Sequence, residues 1–215
     1  MRFLLRPRWL LTHALIAVLA ITFVNLGFWQ LRRLDERRVD NARIAENLSA
    51  PQQPLGETLA QYGHDPDALI YRRVEVTGRY RPADEFLLTP RSSGRQAGHH
   101  VVTPLELEQG GAVLVERGWV PFAMDDPPIA DAAPPPGHVT VSGILFPTQD
   151  AQRYGAASGS AADRLTYLST VDVDRIQPQI DTPLLPVSIL LQQQDPPAAN
   201  LPIPPAPPQQ SEGNH

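Results

Sequence analysis

Twenty consecutive residues, Leu10–Trp29 (LLTHALIAVLAITFVNLGFW), carry no formal charge when His13 is neutral, and they constrain this chain more than any other segment. As a helix they extend about 30 Å at about 1.5 Å per residue, the thickness of a bilayer's hydrocarbon core. Trp9 and Trp29 stand at the two ends, where indoles favour the membrane–water boundary, and Arg6, Arg8, Arg32 and Arg33 fence the run. A cleaved secretory signal has a shorter apolar core and a small-residue cleavage site, and Gly27-Phe28-Trp29-Gln30 offers none. The pattern predicts a basic N-terminus over residues 1–9 and an uncleaved transmembrane helix over residues 10–30, with the lipid bilayer as its partner.

Charge is unevenly spread. Residues 1–43 hold eight arginines and three acids, whereas residues 44–215 hold ten arginines and twenty acids. An acidic body has no basic surface to displace phosphate counterions, which argues against a nucleic-acid partner. Arg2, Arg6 and Arg8 precede the apolar run and Arg32, Arg33, Arg37, Arg38 and Arg43 follow it. Counting arginines alone leans toward a cytoplasmic body.

Leu31–Leu48 (LRRLDERRVDNARIAENL) continues as a charged helix, with opposite charges at helical spacing such as Arg33 and Glu36, until Pro51 and Pro54 stop it. This defines a juxtamembrane helix over 31–50 and a connecting loop over 51–70. Beyond it the period changes. Tyr71–Tyr80, Glu85–Thr89, His100–Leu107, Ala112–Val120, Val139–Phe146, Thr166–Val173 and Leu184–Gln192 read as short strands between Gly, Pro, Asp and Ser turns. Gln109-Gly110-Gly111 reads as a hairpin turn, and Asp172–Gln177 as one short helical piece. The expected class is mainly β, a membrane-anchored antiparallel β-barrel or sandwich over residues 71–194. Asp125–Pro136 is expected to be an exposed loop. Pro196–Pro208, with seven prolines in thirteen residues, is expected to be a stiff spacer holding no packed strand, within a spacer segment of residues 195–215.

Chemistry is sparse. The absence of cysteine excludes a disulfide scaffold, a thiol nucleophile and thiolate-ligated metals. P-loop, G-x-G-x-x-G, H-E-x-x-H and G-x-S-x-G signatures are missing, and Gly94–Gly98 precedes a strand rather than a phosphate-cradling helix. His99 and His100 are adjacent, so on a strand they face opposite ways and do not chelate one ion. His64, beside Asp65 and Asp67, and the pair Asp125–Asp126 read as solvated loop residues. Asn25, inside the apolar run, is expected to bond across to a neighbouring helix, while His13 lies within reach of the membrane interface. No nucleophile–base set can be assembled, so an enzyme is not expected and no metal ligands are assigned.

The ordered motifs carry a resemblance. Pro7-Arg8-Trp9 and Leu26-Gly27-Phe28-Trp29-Gln30-Leu31-Arg32-Arg33 flank the apolar run. Tyr71-Arg72-Arg73-Val74, Gly78-Arg79-Tyr80, and Leu88 with Arg91, Gly94 and Gly98 follow. Then come Val102-Thr103-Pro104, Val113–Pro121 (VLVERGWVP) and Val141–Leu145 (VSGIL). In this order they resemble the Surfeit locus protein 1 family of cytochrome c oxidase assembly factors. The resemblance implies two transmembrane helices enclosing an extracytoplasmic β-domain of a bacterial cell membrane. It also implies help with haem a delivery and with stabilising oxidase subunit I, alongside other assembly factors. Haem a would be bound transiently. Gly213-Asn214-His215 matches the opening of the family's second helix, which this sequence does not continue, and makes His215 the haem-binding candidate. Trp29, Arg117, Gly118, Trp119 and Pro121 are read as partner-contact or structural positions, with Gly78, Gly118 and Gly143 admitting close backbone contact. The competing reading is a membrane-anchored binding module for lipid or an envelope protein.

Overall fold

The computed structural model describes residues 7–63, 65–149 and 164–208. Two compact units divide the chain after Ala45.

The first contains most of helix α1, which runs from Pro7 to Ser49 without a break between the apolar and charged stretches. It is long and apolar enough to cross a membrane, and no residue of its 18-residue apolar window is buried within the protein. Leu15, Ile16, Ile21, Phe23 and Phe28 all stand exposed. A helix that is apolar around its circumference needs lipid or protein on every side. Its polar side chains are satisfied internally: Thr22 Oγ1 donates to Val18 O, and Asn25 Nδ2 donates to Ile21 O, both at 2.8 Å. Asn25 thus bonds within its own helix, to the carbonyl four residues back. The helix stops at Ser49, two residues before Pro51, as expected.

The second unit, Glu46–Gln209, is a mixed β-barrel. After β1 (Gln53–Pro54) and short helices α2 (Leu55–Tyr62) and α3 (Pro66–Leu69) come β2 (Arg73–Tyr80), β3 (Phe86–Ser93), β4 (Gln96–Leu107) and β5 (Ala112–Pro121). Strands β6 (His138–Pro147) and β7 (Tyr167–Leu168), helix α4 (Val173–Ile176) and β8 (Leu184–Asp195) complete it. The ring runs β2-β6-β8-β5-β4 and closes where Gly78–Tyr80 of β2 meets Leu105–Leu107 of β4. Gly78 sits at that closure because a Cβ would strike the Glu106 carbonyl; a Cβ at Gly143 would likewise strike Leu190 and Ile189. Both glycines admit backbone contact, as their sequence context suggested.

Three expectations change. The sheet is not purely antiparallel: β5 and β8 run parallel, as do the short pairs β1/β2 and β3/β7. Alternation of apolar residues reports faces, not strand direction. The Thr166–Val173 strand shrinks to Tyr167–Leu168, because Asp172 caps α4 by accepting from the Arg175 N–H and ends the extended run. The proline segment is not free of pairing. Its residue Ile203 exchanges both backbone hydrogen bonds with Trp119, at 2.7 and 3.0 Å. Ile203 can do so because it keeps the N–H that the flanking prolines lack.

The barrel interior is filled by Val74, Leu105, Val113, Val115, Val141 and Ile189 among others. A second cluster with Phe86, Leu88, Leu114 and Ile176 covers the outer face of β3–β5. Strand β5 is thus buried on both faces, which explains its near-continuous apolar run.

Candidate functional site on the two faces of strand β5

The VLVERGWVP motif forms β5, and its two charges interrupt a run that is otherwise buried. Side chains alternate across a strand, so Glu116 and Arg117 leave on opposite faces. The register adds a second device. Val102 opposes Glu116 and Val101 opposes Gly118, leaving Arg117 as the extra residue of a β-bulge. The bulge resets the alternation: Trp119 comes opposite His100 on the outer face, and Val120 comes opposite His99 on the inner face.

On the inner face Arg117 is fully buried. Its Nη1 donates to Glu85 Oε2 (3.3 Å) and Thr103 Oγ1 (3.4 Å), and its Nη2 donates to Ala132 O (2.7 Å). Thr103 Oγ1 donates to Glu85 Oε2 at 2.9 Å, and the Ile129 N–H donates to Glu85 Oε1 at 2.8 Å. The guanidinium lies 5.3 Å from the centre of the Tyr80 ring, and Tyr80 Oη donates to Gln194 Oε1 at 3.1 Å. Burial pushes the Glu85 carboxyl up and the Arg117 guanidinium down, and their hydrogen bonds and mutual attraction oppose both shifts. The Tyr80 phenol is pushed up by burial. This network also ties down the 125–136 segment. Most of that loop is exposed, as expected, but Ile129 and Ala132 turn inward and are buried. Local composition suggested solvent, but a carboxylate and a guanidinium deep in the fold need backbone partners, and this loop supplies them.

On the outer face His100 Nδ1 is hydrogen-bonded to Glu116 Oε1, and Arg91 Nε stands 3.9 Å from the same oxygen. Arg91 also donates to Ser169 O (2.8 Å) and Pro90 O (2.9 Å). Beside them opens a cleft of about 240 Å³ lined by Leu88, Arg91, Glu116, Phe146, Val171 and Ser188. Trp119 is 5 % exposed; its ring packs over Gly98, where a Cβ would meet the indole. Gly118 has φ +145°, and a Cβ there would strike the Ile203 carbonyl. Glycine is required by both conformation and contact. Pro121 ends the strand opposite Gly98.

The two histidines do face opposite ways. His99 is buried against Phe122 (ring centres 4.8 Å apart) and Tyr167 (5.8 Å), and burial lowers its pKa. Among the described residues no three His, Asp or Glu side chains converge as a metal ion would need. Arg117, Gly118, Trp119 and Pro121 thus come together, while Trp29 stands half-exposed on α1. His215 and His64 lie outside the described residues. Sequence reasoning placed Tyr80 and Thr103 in motifs without giving them a site role, and assigned none to Glu85 or Gln194. The available signal was the charge pair inside an apolar strand, since a buried arginine demands an acid from elsewhere in the fold.

These features define a class: a small closed β-barrel following a helix long enough to span a membrane, with a buried ion pair at its motif strand. The model of the SURF1 family matches residues 17–215, and the chain belongs to that family. It is similar to a SURF1-like protein of Rickettsia felis, 30% identical over 146 residues, covering 66% of this chain and 60% of that protein. A SURF1-like protein of Rickettsia bellii is 34% identical over 110 residues, 50% of this chain and 43% of that one. An uncharacterized SURF1-like protein of Mycobacterium tuberculosis is 34% identical over 119 residues, 55% and 44% respectively. The chain spans roughly half the length of these relatives.

Proposed function

We propose that this chain serves as a membrane-anchored assembly factor for haem-copper cytochrome c oxidase, binding maturing subunit I and transiently bound haem a rather than catalysing a reaction. The observation that carries this reading is the family match across residues 17–215, which includes the β5 motif. The geometry is in keeping with it. Arg117 is fully buried and committed to Glu85, so the motif's charges hold a loop and a strand in place rather than face a substrate. The apolar helix supplies the anchor, and the barrel is placed on the extracytoplasmic side of the bacterial cell membrane. An alkaline phosphatase fused after Gln194 should then be active, and an inactive fusion reverses the orientation. Haem requires an axial donor such as imidazole. His215 holds that role by family resemblance.

Affinity purification of the tagged full chain from membranes tests the reading. Recovery of oxidase subunit I is expected. Its absence, with an unrelated envelope protein or lipid recovered instead, would favour a general binding module.

A further inference from the structure

The barrel wall is incomplete at one place on β2. On the edge turned away from β6, β1 pairs with Val74 and Glu75, and β4 pairs with Gly78, Arg79 and Tyr80. Among the described residues no strand meets that edge at Val76 or Thr77. In an antiparallel pair one residue turns both backbone groups to one neighbour, and the next turns both to the other. The Arg81 N–H donates to Pro104 O of β4, so this two-residue period points the N–H and C=O of Thr77 into the gap. Elsewhere a single extended residue closes such an edge: Ile203 covers β5 by exchanging both backbone bonds with Trp119. Thr77 has no such cover among the described residues and stands exposed.

A groove of about 440 Å³ opens over this gap, with α2 on one side and the turn after β4 on the other. Its floor is Leu59, Val76, Leu107 and Leu185, four apolar side chains that pack on the barrel interior while staying only partly covered. Glu75 and Glu108 line it and stand exposed, and no basic side chain is among its lining residues. Among the described residues neither carboxylate is paired with an arginine: Glu75 accepts from Gln52 at 2.8 Å, and Glu108 contacts His138 at 3.1 Å. A free strand edge beside an apolar floor is what an extended segment requires. Its main chain bonds to the edge and its alternate side chains fill the floor. The acidic rim selects a segment of opposite charge.

We propose that this groove docks an extended, basic segment of a partner protein. The segment adds to β2 at Thr77, seats an aliphatic side chain on Leu59, Val76, Leu107 and Leu185, and sets lysine or arginine against Glu75 and Glu108. The docking site stands independently of the oxidase role, and its partner is defined by this chemistry alone.

The test is a binding screen of the purified full chain in nonionic detergent against a library of short synthetic peptides. These are aliphatic at alternate positions and randomised among arginine, glutamate and serine at the others. Enrichment of arginine is expected, and the best arginine peptide should bind more weakly as salt rises. Gly56→Trp should fill the groove and cut that affinity at least about tenfold. Its thermal unfolding should be unchanged, because a Cβ at Gly56 meets only Gln109 Oε1, at 4.0 Å. Glu75→Gln combined with Glu108→Gln should cost about three- to tenfold and flatten the salt dependence. Both carboxylates are exposed, so this variant reads the rim without a change of fold. Enrichment of glutamate or serine, no enrichment at all, or unchanged binding in either variant overturns the proposal. So does full competition by arginine amide alone, which would make the groove a site for a small cation.

Discussion

Glu116 and Arg117 are neighbours in sequence, each paired with an opposite or titratable partner, yet they occupy different physical regimes. Arg117 meets Glu85 where both side chains are fully inaccessible. Glu116 meets His100 and Arg91 at the outer face, with the three side chains 12–29 % exposed. In the interior an unpaired charge has no water to turn to, so every partner of Arg117 becomes a condition of folding. At the outer face the partners of Glu116 keep some access to water, which replaces a lost partner in part, so losing one there should cost less than in the interior. One bulge residue separates the part of the motif that holds the barrel from the part that faces outward.

The largest expected effect breaks the inner side of this comparison. Arg117→Met leaves Glu85 buried without its cation and should cost about 3–5 kcal/mol. The double variant Arg117→Met with Glu85→Gln should recover much of that loss, because no charge then remains buried. Chemical denaturation of the single and double variants reads the difference, and equal losses would contradict the coupling. Trp119→Ala comes next, at about 3–5 kcal/mol for a packed indole, toward the lower end because the ring is not wholly enclosed. Reduced thermal stability and reduced abundance should appear together; a fully stable Trp119→Ala barrel that fails in oxidase maturation would make Trp119 a direct contact.

Gly118→Ala forces a Cβ into a φ +145° position against the Ile203 carbonyl and should cost about 1–3 kcal/mol. Its distinctive sign is faster proteolysis within residues 196–208, where the Trp119–Ile203 hydrogen bonds hold the proline segment. Unchanged protection would refute that link. The smallest effect concerns His99. Burial lowers its folded pKa below the ordinary 6.5, outweighing the opposing pull of Asp125. Below pH 6.5 the unfolded chain therefore takes up a proton that the folded chain resists, so stability falls as pH drops through that window. His99→Gln should flatten this part of the stability–pH curve, and an unchanged slope would remove His99 as its source.

Much of the fold was legible. The uncharged run and its arginine fences marked α1, and Asp172 marked the start of the short helix α4. The six longer strands followed from alternation between turn residues. Strand direction was not legible, because the parallel pairing of β5 with β8 depends on which edges meet in space. The site was half legible. Arg117, Gly118 and Trp119 stood out in the motif, but Glu85 lies 32 residues away, and its carboxylate reads like any turn acid until the barrel closes around it. The bulge was hidden as well, since an extra residue in one strand shows only against its partner. Ile203 escaped notice because a single bridging residue among prolines produces no period.

The central claim is most directly tested by the haem a content of oxidase subunit I. Oxidase purified from the host of origin with the gene intact, deleted and restored should show a marked loss of haem a on deletion and recovery on restoration. Undiminished haem a and normal oxidase assembly in the deletion strain would contradict the account.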